Sequence, residues 1–231
     1  MRYPRGVYEH NLALRGCAIA TDVVPPGLRD RLVVAVAHAT TGVAGNRWGL
    51  GHEAVRELAT SAALRELVEP ILGVEAFAVR ATLFDKTPQE NWFVAWHQDL
   101  AIPVQQMREV PGFGPWSVKD GVPFVQPPAE VLRGMLAVRV DLDGSDAHNG
   151  ALRVLPGTHT FGVLTPKQRS ELSWAQSPVI CEVPAGGALV MRPLLLHSSG
   201  RAASPLHRGV VHLEFAAHDL PGGLEWQARV R

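Results

Sequence analysis

The stretch NWFVAWHQDLAIPV, residues 91–104, sets an imidazole and a carboxylate one residue apart inside an otherwise apolar run. Such groups are costly to bury without partners. In extended backbone, residues i and i+2 face the same side, so His97 and Asp99 project together while Gln98 points away. That pair can grip one cation, and it needs a third ligand. His197, at the end of the apolar run VMRPLLLHSSG, is the candidate. Two histidines and one carboxylate on one face of an octahedral ion leave the opposite positions open, the facial-triad arrangement of non-haem Fe(II) oxygenases. Zinc prefers a tetrahedral site with a single open position. A zinc hydrolase built on the same ligands has no evident general base.

Eleven residues past His197 stands Arg208, opening the apolar run RGVVHLEF. A buried arginine there needs an anion, and its planar fork suits a carboxylate. A 2-oxoacid that chelates iron at one end and meets Arg208 at the other satisfies both sites. Arg139 and Asp141 in LAVRVDLDG share one strand face, as do Arg80 and Thr82 in the strand before the HxD. Each pair either lines a pocket, where it could hold a substrate, or is a solvated surface feature. His212 shares a face with Arg208 and is either a pocket residue or a core histidine. Trp116 in GFGPWSVKDG either anchors a lid or packs its loop onto the core, and Lys86 in LFDKTPQENW reads as a turn lysine, with a second carboxylate contact as the alternative.

The elements that must hold these groups divide the chain in two. Residues 1–74 read as mainly helical: a short strand over 16–24, a helix starting at Pro25-Pro26, and a second helix capped by Ser61 and stopped by Gly73. Residues 75–216 read as strands, at 75–86, around 92–102, and over 134–144, 150–159, 187–197 and 207–216. In 75–86, Phe77, Val79, Ala81 and Leu83 alternate with Ala78, Arg80, Thr82 and Phe84. Residues 103–130, crowded with Pro and Gly, form a long loop of the lid or binding kind. Helices followed by short strands suggest one α+β domain over 1–231, its β part a sandwich or jelly roll.

Bulk composition narrows the partners. Lys+Arg and Asp+Glu balance at 22 each, so no overall field draws nucleic acid or an anionic membrane. The N-terminus lacks the apolar core of a secretory signal, no run is long enough to span a bilayer, and Cys17 and Cys181 form no disulfide framework. A cytoplasmic protein acting on a small molecule is the expectation. Nothing in the sequence sets an oligomeric state.

Taken in order, WHQD, NGALRVLPGTH, MRPLLLHSSG and HRGVVHLEFA resemble the phytanoyl-CoA dioxygenase family of Fe(II)/2-oxoglutarate oxygenases over roughly residues 10–216. The resemblance implies a double-stranded β-helix, a cupin-like jelly-roll barrel with the N-terminal helices packed outside. It implies His97, Asp99 and His197 as iron ligands, Arg208 on the distal carboxylate of 2-oxoglutarate, and Ser199 assisting it. It makes Asn149-Gly150 a structural turn and His159 no ligand. The implied reaction consumes 2-oxoglutarate and O2, releases succinate and CO2, and hydroxylates a C–H bond. Related halogenases carry a small residue where Asp99 stands, so Asp99 favours hydroxylation. Without a Lys/Arg cluster in 103–130 to cradle a nucleotide, a carboxylate or amino-acid-like substrate is expected. The alternative is a non-catalytic barrel that binds metal and 2-oxoglutarate as a sensor or scaffold.

Overall fold

The computed structural model describes residues 5–43, 45–203 and 207–231. Its first part holds α1 (Arg5–Leu14), β1 (Cys17–Ala20), α2 (Pro26–Ala39), β2 (Gly45–Asn46), α3 (Glu53–Thr60) and α4 (Ala62–Leu72). Then come β3 (Phe77–Lys86), β4 (Val94–His97), β5 (Ile102–Pro103), β6 (Trp116–Lys119), β7 (Val122–Val125) and α5 (Ala129–Arg133). The remainder is β8 (Met135–Asp141), β9 (Leu152–Val154), α6 (Pro166–Ala175), β10 (Val179–Cys181), β11 (Gly187–Met191), β12 (His197–Ser199) and β13 (Arg208–Ala216).

The strands form a six-stranded sheet in the order β1-β11-β8-β13-β3-β2, a four-stranded sheet β10-β9-β12-β4, and a small sheet β5-β7-β6, all antiparallel in their pairings. Long and short sheets face each other as a jelly roll. The helices cover the outer face of the long sheet. Leu28, Leu32 and Val36 of α2, Val55 and Leu58 of α3, and Leu64 and Val68 of α4 bury themselves against Leu136, Val138, Val140, Val211 and Leu213. Alternation on β8 and β13 therefore turns Arg139, Asp141, His212 and Glu214 to the inside. Ser61 caps α4 by accepting from Leu64 N at 3.3 Å, and Gly73 at φ +91° ends it.

Two expectations need correction. Strand β3 does not keep one phase: Arg80 pairs with Glu214 but Ala78 pairs with Phe215, so Val79 is a bulged extra residue. Phe77 and Val79 consequently pack under the small sheet, while Ala81 and Leu83 pack under the helices. The 103–130 segment, in turn, carries its own structure. Its β6–β7 hairpin turns through Asp120-Gly121, both at positive φ (52° and 80°), the Asp-Gly geometry of a tight hairpin.

Candidate active site

His97 on β4 lies directly opposite His197 on β12, with ring centroids 4.1 Å apart. Each imidazole donates from Nδ1 to the carbonyl two residues earlier in its own segment, Ala95 O and Leu195 O, both at 2.8 Å. A carbonyl only accepts, so the proton sits on Nδ1 and Nε2 keeps its lone pair for a metal. Asp99 follows just beyond β4, its backbone N donating to Pro193 O at 2.9 Å. Its Oδ1 is 3.9 Å from His97 Nε2 and its Oδ2 is 3.8 Å from His197 Nε2. Gln98 faces the opposite way. Its amide donates to Gly162 O and Leu194 O and accepts from Leu164 N, which clamps the segment that presents the two ligands.

The donor set fits a cation. Asp99 Oδ2 is buried and has no hydrogen-bond partner, an arrangement that costs free energy unless something positive completes it. Burial pushes the Asp99 carboxyl up, yet His197, His212, His97 and Arg80 outweigh it and hold it at about 2. Burial lowers the His197 imidazole to about 4. Both groups therefore stand in their metal-binding forms at neutral pH. A second group, Asp99 with His212 and Glu214, also brings ligand atoms within 4.8 Å of one another. Glu214 is already ion-paired with Arg80 there, so the two-histidine set is the better cation site.

Six residues along β3 from Arg80 lies a cluster of buried cations. Arg208 pairs in register with Lys86, and both side chains are buried, Lys86 at 1% exposure. Lys86 Nζ donates to Ser199 Oγ at 3.1 Å and to Gly200 O. Arg208 donates to Gly150 O, which also accepts from Ser199 Oγ at 3.0 Å, and Arg208 Nε has no acceptor. Arg139 and Asp141 belong to this end too, 3.7 Å apart, with Arg139 close enough to Arg208 to lower its pKa. Three buried cations face one carboxylate. Burial, reinforced by Arg208 and Arg139, drops Lys86 to about 7; burial and Arg139 drop Arg208 to about 10; burial pushes Asp141 up.

The structure thus brings His97, Asp99 and His197 together, and Arg208 with Ser199. Arg139 and Asp141 line the barrel interior beside Arg208. Thr82 is buried opposite His212, and Arg80 reaches toward Asp99 by donating to Ala101 O at 3.3 Å. Trp116 is partly buried and packs on the apolar cluster of Phe77, Ile102 and Val125. His159 meets the carbonyl of Ala13 at 3.2 Å, away from the ligands. The turn reading of Lys86 is overturned, because β3 runs on to pair it with Arg208. Its even-numbered phase with Arg80, Thr82 and Phe84 was the available signal. Glu214, in phase with Arg208 and His212, was missed in the same way.

Fold and site together define a jelly-roll barrel that carries a two-histidine, one-carboxylate donor set. The model of the family described as "Phytanoyl-CoA dioxygenase (PhyH)" matches residues 33–210, and the chain belongs to that family. Curated proteins searched by sequence give no match. Among solved structures, EvdMO1 is similar with a TM-score of 0.70 at 18% identity, over 92% of this chain and 49% of that one. The chain thus spans about half the length of EvdMO1. SnoN, a non-haem α-ketoglutarate-dependent epimerase from nogalamycin biosynthesis, gives a TM-score of 0.68 at 17% identity, over 98% and 93%. EctD from S. alaskensis, solved with 2-oxoglutarate and 5-hydroxyectoine, gives 0.69 at 18%, over 90% and 74%. Among the described residues, no helix is long and apolar enough to cross a membrane.

Proposed function

We propose that this chain uses Fe(II), 2-oxoglutarate and O2 to hydroxylate a C–H bond of a small, carboxylate-bearing molecule. The observation that carries the reading is a pairing within one barrel: a triad of metal-ready donors carried by the short sheet, and on the facing long sheet a buried excess of positive charge. His97, Asp99 and His197 would hold the metal. Lys86, Arg208 and Ser199 would take the distal carboxylate of 2-oxoglutarate, which supplies the anion that three buried cations and one carboxylate lack. The chemistry supplied at the bound metal is oxidative decarboxylation of 2-oxoglutarate to succinate and CO2, coupled to oxidation of substrate. The protein's share is to fix the donor atoms and orient the co-substrate between two charged anchors. Retention of Asp99 as a third protein ligand supports hydroxylation over halogen transfer. SnoN, of similar fold, is an epimerase, so the outcome depends on which substrate atom the pocket presents.

The test is anaerobic titration of the purified protein with Fe(II) and 2-oxoglutarate. A weak metal-to-ligand charge-transfer band in the visible should appear, followed by succinate release on admitting O2. A bound metal with the band but no succinate, across a metabolite panel, would instead favour a sensor or scaffold.

A further inference from the structure

The barrel has a second cationic end that neither metal nor co-substrate uses. On β3, Arg80 lies six residues from Lys86, about 20 Å along an extended strand. Between the two ends, His212 Nε2 stands 3.7 Å from Asp99 Oδ2. The candidate metal carboxylate therefore separates Lys86 and Arg208 on one side from Arg80 on the other.

At the Arg80 end the hairpin closes over the barrel. Phe124 of β7 carries two cations on its ring, Lys119 Nζ at 4.6 Å from the centroid and Arg80 Cζ at 5.5 Å. Arg80 is half satisfied: its terminal nitrogens reach Glu214 and Ala101 O, but Nε is buried without an acceptor. Lys119 has no carboxylate within ion-pair distance among the described residues, while Arg47 beside it is paired with Asp120 at 3.5 Å. Arg47 is thus answered by Asp120 and Arg80 by Glu214, with Asp99 near enough to Arg80 to feel its charge, and Lys119 is left as the cation here without a carboxylate partner among the described residues. Burial, then Arg80 and Arg47, depress the Lys119 pKa, with Glu214 opposing. An ammonium held there gains from any anion that enters.

We infer that Arg80 and Lys119 form an anion subsite at the barrel mouth that takes the carboxylate of the substrate. The inference rests on the oxygenase reading, which places the co-substrate at Lys86 and Arg208 and so leaves this end free. A single unanswered charge suits a monoanion. Arg80, linked to Ala101 two residues past Asp99, would hold the anchored end close to the metal, so the oxidised carbon lies a few bonds from the acid group.

The experiment uses the full chain loaded anaerobically with Fe(II) and 2-oxoglutarate. The charge-transfer band is followed while straight-chain and aromatic carboxylic acids are added, each beside its own primary amide. At least one acid should perturb the band with a dissociation constant about tenfold or more below that of its amide, the scale of a charge-assisted hydrogen bond. Lys119→Met should abolish that preference, Lys119→Arg should restore most of it, and neither should alter 2-oxoglutarate affinity. The subsite is overturned if acids and amides bind alike, if no acid perturbs the band, or if Lys119→Met is indifferent. Absence of the band in the wild type would instead overturn the oxygenase reading, and the subsite with it.

Discussion

At the scale of single residues, the proposed function makes Lys86 decide how the co-substrate would be held. Its ammonium is buried against Ser199 and Gly200 O, next to Arg208, and burial brings its pKa down to about 7. A carboxylate arriving there pairs only with the protonated form, so binding takes up a proton in neutral and alkaline solution. Affinity for 2-oxoglutarate should therefore be greatest below about pH 7 and weaken as pH rises through it, while Arg208, at about 10, stays charged. Charge-transfer titrations between mildly acid and mildly alkaline buffer check this; a flat profile would mean that Lys86 is not a co-substrate contact. Lys86→Met should flatten the profile and weaken 2-oxoglutarate binding roughly 10- to 100-fold, the range for losing a charge-assisted hydrogen bond. Arg208→Met should weaken binding at least as much and leave the pH dependence in place. Metal affinity should change little in either variant. The grouping of His97 with Asp99 was legible because i, i+2 spacing alone puts them on one face, and His197 because it ends an apolar run. Lys86 was hidden because KTPQEN after it resembles a turn, and only pairing with β13 extends the strand so far.

At the scale of elements, the turn before β9 holds the Lys86–Arg208 end of the barrel in shape. Asp146 accepts from the backbone nitrogens of His148 and Asn149, and Asn149 returns a bond to Asp146 N. That brings Gly150, at φ +77°, against β12. A Cβ there would meet Gly200 O at 2.6 Å and Lys86 Nζ at 3.2 Å. Gly150→Ala should therefore cost about 1–2 kcal/mol for the backbone alone and more for the clash. That corresponds to a fall of at least roughly 2–8 °C in Tm by calorimetry. It should weaken 2-oxoglutarate binding as well, because Gly150 O is the acceptor for both Arg208 and Ser199. A variant with unchanged Tm and affinity would remove Gly150 from this role. The NGALRVLPGTH motif announced this turn, but not what it touches, since that contact comes from residues 50 and 64 positions away. Elements with long apolar stripes, α2 and α4, were equally legible. The helix α6 was not, for none of its residues is buried; its capping box, Thr165 with Gln168, was the overlooked signal. The β3 bulge was illegible because it answers to β13, and the small sheet because its strands are too short for alternation to show.

At the scale of the whole molecule, β4 and β12 belong to the short sheet, whereas His212 and Arg208 extend from the long one. Asp99 bridges them, with imidazoles of both sheets within 3.9 Å of its oxygens. A cation bound by His97, Asp99 and His197 would answer the unpaired Asp99 Oδ2, and 2-oxoglutarate would then tie that centre to Lys86 and Arg208 across the barrel. A ligand that binds only the folded chain raises its stability, so on the proposed function each of the two should do so. At a concentration 100 times its dissociation constant, a ligand adds about 2.7 kcal/mol, or roughly 5–11 °C in Tm for a chain of this size. Manganese(II), which shares iron's preference for nitrogen and oxygen donors, makes the test free of oxidation. The wild type should gain one increment with Mn(II) and a second with 2-oxoglutarate, and EDTA should remove both. His197→Ala should lose the two together, because the co-substrate needs the metal for one of its anchors. Arg208→Met should keep the first and lose most of the second. If His197→Ala gained stability from Mn(II) as the wild type does, the ion would be binding elsewhere, and the two sheets would not be joined through this centre.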